Sequence, residues 1–581
     1  MSLLLRPFVG QDATLRSRTR VIADVVVLAA VAVLFWLMVE LSYGVSAPFN
    51  PEHAASTVST DPWNLPYYAA RSLLRMFVAL AVSVLFTFVY ATAAARSRRA
   101  EMVLIPLLDV LQSVPVLAFL SVTLSVWLAL FPGSTLGLEC AAVFAIFTSQ
   151  VWNMTFAFYQ SMVTQPRELD EAARLLRLTK WQRFWKVDVP GGMIPLVWNG
   201  MMSFGGGWFF LVASEAISVN NHTYALPGIG SYVAAATEKE QLGRVLLAIA
   251  VMAIMVVGVN VLFWRPLTAW AERFRTENTA ATEAQRSATL TLLRHSGLPA
   301  LAGRGLRPVG RMLDRATRPL GLADRPLQVN QWHRRAGDTV FAVLVVAALG
   351  WGLWQMLVYI NDHAGLAEFG HAALLGLATF GRVIVVLAVG SLVWVPIGVW
   401  IGMNPRVTRI AQPVVQVLAS FPANFLFPFI TLLLIRTGIG LNLGGILLMA
   451  LGAQWYILFN VIAGAAAIPS DLREAATNLR LSRGLRWRAL IGPAVFPAWV
   501  TGGITAAGGA WNASIVAEVV SYGHTTLTAT GLGAYITQAT AEGNFARTLV
   551  GVTVMTIYVV GVNRLFWRRL YRLAEARYSL T

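Results

Sequence analysis

Long apolar runs alternate along the chain with short polar gaps. The runs at 21–41, 73–95, 242–263 and 549–566 reach or approach the roughly 20 residues that carry a helix across a bilayer. Counting such runs predicts six spans in the first half, at 21–41, 72–95, 104–131, 137–159, 195–218 and 242–263. Six more follow at 338–360, 380–403, 413–435, 441–467, 498–520 and 549–567. The two sets align by residue type. Arg75, Pro106 and Pro115 answer Arg382, Pro413 and Pro422; Pro166, Glu171, Pro190, Trp208 and Glu215 answer Pro469, Glu474, Pro493, Trp511 and Glu518. GVNVLFWRPL at 258–267 is matched by GVNRLFWRRL at 561–570. The predicted fold class is an all-α polytopic membrane protein of two tandem six-span helical bundles, about 12 transmembrane helices. Because six is even, the halves enter the bilayer in the same sense, as parallel repeats about a pseudo-two-fold axis along the membrane normal.

Composition agrees with this pattern. Of 581 residues, 57% are hydrophobic and 13% charged, half the charge of a soluble domain. The net charge of +17 would suit nucleic acid if the bases were gathered on one face, but they fall in alternate gaps: 96–99, 167–186, 265–335, 473–488 and 564–577. The gaps at 42–70 and 132–139 contain neither Lys nor Arg. That asymmetry marks the cytoplasmic side of a membrane protein, and no nucleic-acid partner is expected. It divides the chain into a cytoplasmic segment 1–20, a first domain 21–264, a linker 265–337 with thirteen arginines against five acids, a second domain 338–567 and a cytoplasmic tail 568–581. The start lacks a cleavable signal pattern, so 21–41 is expected to remain as a span. With Cys140 as the only cysteine, no internal disulfide and no Cys-based metal cluster are expected. The scattered histidines give no metal site, and no hydrolase arrangement of side chains stands out.

One charged insert occurs twice. ELDEAARLLRLTKWQRFWKVDVP at 168–190 is answered by DLREAATNLRLSRGLRWRALIGP at 471–493, both between the fourth and fifth spans. In the first copy the acids come early and the bases late, as a helix dipole favours; in the second, Ser470 is placed to cap the helix. Alone, such a segment reads as an interfacial helix resting on headgroups. Two copies at equivalent places, each closing on a proline, read as docking elements.

These segments resemble the EAA loop of permease subunits of bacterial ABC importers, whose pattern is Glu-Ala-Ala, three residues, Gly, nine residues, Ile-x-Leu-Pro. Glu171, Ala172, Ala173 and Pro190 fall on it, as do Glu474, Ala475, Ala476 and Pro493, within loops 166–190 and 469–493. The resemblance implies a type I importer fold, with coupling helices that dock on separate ATPase subunits. In both copies the family's glycine is replaced, by Arg177 and Arg480. Either the turn is built differently here, or the arginines meet acids on the partner; the shared change favours the second reading. None of the three lysines sits in a Gly-Lys-Ser/Thr phosphate loop, so the chain binds no cofactor itself. ATP and Mg are expected on two copies of a partner ATPase.

Span five carries GGGWFFLVASE at 205–215 and GGAWNASIVAE at 508–518. Glycines there allow close helix approach or a lined cavity, and Trp208 and Trp511 are expected near mid-depth. A Glu inside a span costs about 2.5–3.5 kcal/mol on insertion scales, so Glu215 and Glu518 must meet a partner or water. Two readings stay open for them: structural pairing with Arg75 and Arg382, or a gating or cargo role. Other pathway candidates are Gln112, Ser113, Gln150, Asn153, Ser203, Ser420, Asn424, Gln454, Asn512 and Ser514. Asp109 has Gln416 as its counterpart, so a cargo is free to bind off-axis. The span-five pattern, followed by PGIGSYV or TGLGAYI, resembles the nitrate, sulfonate, taurine and bicarbonate branch of these permeases. That implies a small, mostly anionic solute delivered by an extracytoplasmic binding protein across a bacterial inner membrane. A fused ferric-ion permease and an ion-gradient-driven secondary transporter are the alternatives.

Overall fold

The computed structural model describes residues 58–112, 114, 116–219, 222–274, 310–317 and 331–578, with scattered positions in 24–32 and 290–308. Segment 1–20, most of the expected span at 21–41 and most of the linker lie outside the described residues, as does Ser113.

The first half runs α1 (Leu65–Arg96), α2 (Arg98–Leu111), α3 (Val116–Leu130), α4 (Leu136–Val163), α5 (Arg167–Leu175), α6 (Lys180–Arg183) and α7 (Val189–Glu215). It ends with a hairpin, β1 (Ala216–Val219) and β2 (His222–Ala225), then α8 (Ile229–Glu238), α9 (Leu242–Val259) and α10 (Arg265–Ala271). The second half opens on α11 (Gln331–His363) and repeats the series as α12 (Glu368–Gly402), α13 (Pro405–Ser420), α14 (Phe427–Thr437), α15 (Leu441–Ala466), α16 (Ser470–Asn478), α17 (Arg483–Arg486) and α18 (Gly492–Ala517). It closes with β3 (Val519–Tyr522), β4 (Thr525–Thr528), α19 (Leu532–Ala541), α20 (Phe545–Val562) and α21 (Arg568–Tyr578).

Among the described residues, nine helices are long and apolar enough to cross a membrane, or ten if one bent pair counts as a span. The third span of each half is not the single helix expected at 104–131 and 413–435. In the second half the helical segments on either side of the break lie 79° apart. The cause is local: Phe421 precedes Pro422 and takes extended angles, φ −74 and ψ 129, because the proline ring disfavours a helical neighbour before it. In the first half the equivalent break falls between the end of α2 at Leu111 and the start of α3 at Val116. The protein is an all-helical membrane protein, and the only strands among the described residues are two short antiparallel hairpins, one after each fifth span, with Ala216 opposite Ala225 and Val519 opposite Thr528.

The halves hold each other through exchanged pieces. Val116 and Leu120 of α3 belong to the apolar core of the second half, and Phe425 belongs to the core of the first. Asn512 on α18 accepts a hydrogen bond from the Val116 backbone N–H at 3.0 Å, fixing where α3 restarts after the break. The turn of the second hairpin, at Gly523 with φ +57, donates its N–H to the Thr237 carbonyl of the first half at 3.2 Å. Close approach within a half depends on small residues: a Cβ on Gly502 would lie 2.9 Å from the Tyr456 carbonyl oxygen.

Candidate functional site

The end of the bundle away from the arginine-rich loops is locked by buried ions. Glu215 is wholly buried; it accepts from Arg75 Nη1 at 2.7 Å, from Ser72 Oγ at 2.6 Å and from the Gly230 backbone N–H at 2.7 Å. It therefore ties α1 to the first turn of α8, where a helix N-terminus favours a carboxylate. Glu518 repeats this with Arg382 Nη1 at 2.7 Å, Thr379 Oγ1 at 2.8 Å and the Ala534 N–H at 3.1 Å. Both glutamates thus make the structural pairing that was one of the two readings left open. The surroundings differ. Arg75 has a second carboxylate, Glu139, at 2.6 and 2.7 Å, which also takes Arg71 at 2.5 Å; Arg382 instead meets the neutral Asn442 at 2.7 Å. On α19, burial and a 2.9 Å hydrogen bond to Glu368 push the Tyr535 hydroxyl well above its ordinary pKa.

Between the halves lies a cavity of about 330 Å³, walled by Gln112, Gly205, Ser420, Trp455, Tyr456 and Asn512 among others. Its described wall contains amides, hydroxyls and aromatic rings and no ionised side chain. Of the expected pathway residues, Gln112, Ser420, Trp511 and Asn512 line it, and Asn153 joins them. The others lie elsewhere. Trp208 borders only a crevice of about 20 Å³. The Gln150 side chain is buried against Gly207, the Asn424 amide donates to the Phe209 carbonyl at 3.3 Å, and Gln454 accepts from the Trp394 indole at 3.0 Å. Sequence reasoning missed Ser149, Trp152, Trp455 and Tyr456. The signal was present: Trp152 and Trp455 stand 303 positions apart, the offset of the Glu-Ala-Ala pair. The cavity is off-axis. It runs along Val559, Val562 and Trp567 of the second half, whereas the equivalent first-half wall, Val256, Val259 and Trp264, borders only the small crevice, into which Gln416 projects.

At the arginine-rich end, α5 and α16 are matching hooks. Glu171 and Ala172 are exposed while Ala173 is buried, and Glu474, Ala475 and Ala476 repeat that order. Each helix ends in the same turn. The Leu178 N–H donates to the Ala173 carbonyl at 3.1 Å and the Arg177 N–H to the Arg174 carbonyl at 2.9 Å; Leu481 and Arg480 do likewise to Ala476 and Thr477 at 3.1 and 3.0 Å. This is the turn glycine favours after a helix, yet Arg177 and Arg480 occupy it at φ 47 and 49. The turn is not built differently; arginine is held in a glycine conformation twice. Ser470 is the first residue of α16 and makes no cap; Thr179 and Ser482 cap the next helices instead, accepting from the Gln182 and Leu485 N–H groups at 3.2 and 3.3 Å. Pro190 and Pro493 each stand at the second residue of α7 and α18, directly after a five-residue π-helical turn, Phe184–Asp188 or Trp487–Ile491. Leu176 and Leu479, beside the strained arginines, are each 72% exposed.

A duplicated helical bundle, a cavity shared by its halves and a pair of exposed hooks at one end define a membrane permease. The chain belongs to the family described as binding-protein-dependent transport system inner membrane component, which matches it over residues 68–274 and again over 394–579. It is a fused permease of that family, with two permease domains in one chain, and not an ATPase. Among curated relatives, the bicarbonate transport system permease protein CmpB of Synechococcus elongatus is 26% identical over 186 residues, 32% of this chain and 63% of that protein. The nitrate import permease protein NrtB of Leptolyngbya laminosa is 26% identical over 188 residues, covering 32% and 64%. The taurine transport system permease protein TauC of Escherichia coli is 31% identical over 207 residues, covering 35% and 70%. The match therefore spans about two thirds of each of these relatives.

Proposed function

We propose that this chain supplies both membrane halves of a type I ABC importer, with about 12 spans related by a pseudo-two-fold axis along the membrane normal, its loops α5 and α16 transmitting work from two ATPase subunits. The observation that carries the reading is the pair of hooks: an exposed Glu-Ala face and a matched exposed leucine, Leu176 or Leu479, on each, ending in the same left-handed arginine. A segment made only to rest on lipid has no reason to reproduce one strained turn twice. In this reading the hooks and both chain ends are cytoplasmic, and the membrane is a bacterial inner membrane.

The cargo is a small polar solute, with anions of the bicarbonate, nitrate and sulfonate type favoured by the named relatives and delivered by an extracytoplasmic binding protein. The cavity wall is neutral, so selection by charge belongs to the binding protein, while the cavity offers exchangeable hydrogen bonds and aromatic surface. A ferric ion favours several anionic oxygen donors, carboxylate or phenolate, and the described wall brings no carboxylate and a single tyrosine, Tyr456. Glu215 and Glu518 then act as clamps of the outer closure rather than as cargo ligands.

The test is uptake by proteoliposomes holding this chain, its ATPase and its binding protein. ATP-dependent uptake of one of these anions, lost in Glu171→Arg/Glu474→Arg, is the expected result. Uptake by the chain alone, driven by an ion gradient and unaffected by those substitutions, would overturn it.

A further inference from the structure

The second half contains an apolar pocket of about 590 Å³ between α12, α18 and α20, separated from the translocation cavity by Ala507, Trp511, Val562 and Trp567, which border both. It opens past Ile384, Ile557 and Leu565, which are 48%, 63% and 65% exposed on helices that span the membrane. The first half shows what the space holds when it is filled. Phe77 stands at the position of Ile384 and Phe204 at that of Ala507. Their rings lie 5.5 Å apart, and Phe204 packs on Trp208 and Trp264 at 5.6 and 5.5 Å. Phe263 closes the group at 5.1 Å from Phe77, whereas its counterpart Phe566 is 51% exposed.

A second difference coincides with the first. Where the first half reads Val261 and Pro266, the second reads Arg564 and Arg569. With Arg568 these three guanidinium groups are exposed. Arg568 and Arg569 follow Leu565 and Phe566 by three residues each, on the same side of the helix. Phe380 and Tyr558 take the places of Leu73 and Met255 in the pocket wall but do not fill the space beside Ala507, and the half that keeps this space also has the two added arginines.

We propose that this pocket binds one acyl chain of an anionic phospholipid whose headgroup sits on Arg564, Arg568 and Arg569. A dry, carbon-walled cavity takes an apolar guest in preference to water, and basic side chains at the membrane surface select anionic headgroups. The chain end then packs behind Trp511 and Trp567, so the lipid supports the wall of the translocation cavity. This goes beyond the transport reading and does not depend on the cargo.

The experiment uses the full chain in phosphatidylcholine nanodiscs doped with phosphatidylglycerol that carries a photo-crosslinker at its acyl terminus. Adducts are expected within 380–387 and 557–567, competed by unlabelled phosphatidylglycerol better than by phosphatidylcholine. Ala507→Phe should abolish them, and Phe204→Ala/Val261→Arg should create adducts at 254–264. Arg564→Gln/Arg569→Gln, confined to exposed side chains, should keep the adducts and lose the headgroup preference. Adducts spread evenly over both halves, adducts unchanged in Ala507→Phe, a preference unchanged in the arginine variant, or crosslinks showing the chain's own segment 21–41 in the pocket would each overturn the proposal.

Discussion

The first half of the molecule has two buried carboxylates at its outer clamp and a filled core; the second has one buried carboxylate at its clamp and an open apolar pocket. At the outer clamp, Arg71 and Glu139 of the first half are replaced together by Ala378 and Asn442. Glu139 joins Arg71 to Arg75, so the two differences alter one buried ionic network. At the hooks, the first half runs an ionic chain from Arg96 to Asp188 and from Arg183 to Asp170. The second half has Met403, Ile491 and Arg473 at the positions of Arg96, Asp188 and Asp170, and Arg473 donates to the Ala465 and Ala466 carbonyls at the end of α15, at 3.2 and 3.1 Å. In the core, Phe77 and Phe204 are answered by Ile384 and Ala507, while Leu73 and Met255 are answered by the aromatic Phe380 and Tyr558, which pack on Trp511 and leave the pocket open beside Ala507. Duplication set the frame, and divergence gave the first half rigidity and the second the space.

The sharpest way to break this comparison is to neutralise the two clamps separately. Arg382 has one carboxylate partner, Glu518, among the described residues, whereas Arg75 has Glu139 as well as Glu215. Glu518→Gln should therefore cost about 3–5 kcal/mol, the effect of orphaning a buried charge, and Glu215→Gln clearly less. Unfolding in detergent measures both, and adding Asn442→Glu to Glu518→Gln should recover part of the loss. Equal losses would show that Glu139 does not share the load of Arg75.

Filling and emptying the cores gives the next effect. Phe204→Ala removes a ring packed on three others and should cost about 3–5 kcal/mol. Ala507→Phe places the same ring in a pocket already open, and should leave stability near that of the parent. If the two substitutions prove equally costly, the second half is not hollow in solution.

These contrasts also show what the sequence made legible. The helical membrane class, the repeat offset and both Glu-Ala-Ala loops were visible because apolar runs, prolines and Glu-Ala-Ala are local signals. The pairing of Glu215 with Arg75 was one of two readings, and only packing decides whether a glutamate 140 residues from an arginine meets it. The break in the second half's third span was hidden because Pro422 sits inside a mostly apolar run at 413–435. The cavity was legible only in part. Gln112 and Ser420 looked like candidates because they are polar, and so did Gln150 and Gln454, which are turned into helix contacts. Trp152 and Tyr456 attracted no notice, since aromatic residues in a membrane span look like core until a void appears beside them.

A smaller effect separates the hooks. Asp170→Asn weakens the ion pair to the nearly buried Arg183 and should loosen the first hook by about 1–3 kcal/mol, as loss of a charged hydrogen bond does. Hydrogen exchange should quicken over 167–188 and stay unchanged over 470–491. Faster exchange in both would mean the hooks are coupled through the bundle rather than anchored separately.

The smallest effect bears on what the halves kept in common. Arginine in a left-handed turn costs about 1–2 kcal/mol more than glycine, and both hooks carry that cost at residues 177 and 480. The side chains of Arg177 and Arg480 are exposed, so the fold gains nothing visible from the strain. Arg177→Gly/Arg480→Gly should accordingly slow exchange in both hooks by an amount equivalent to about 1 kcal/mol each. On the proposal that these exposed guanidinium groups meet acids on the ATPase, ATP-driven uptake should nevertheless fall. Restoring uptake with paired charge reversals on the ATPase would locate those acids. Stabilised hooks with undiminished uptake would mean that arginine is merely tolerated in the turn, and the shared substitution would lose its functional meaning.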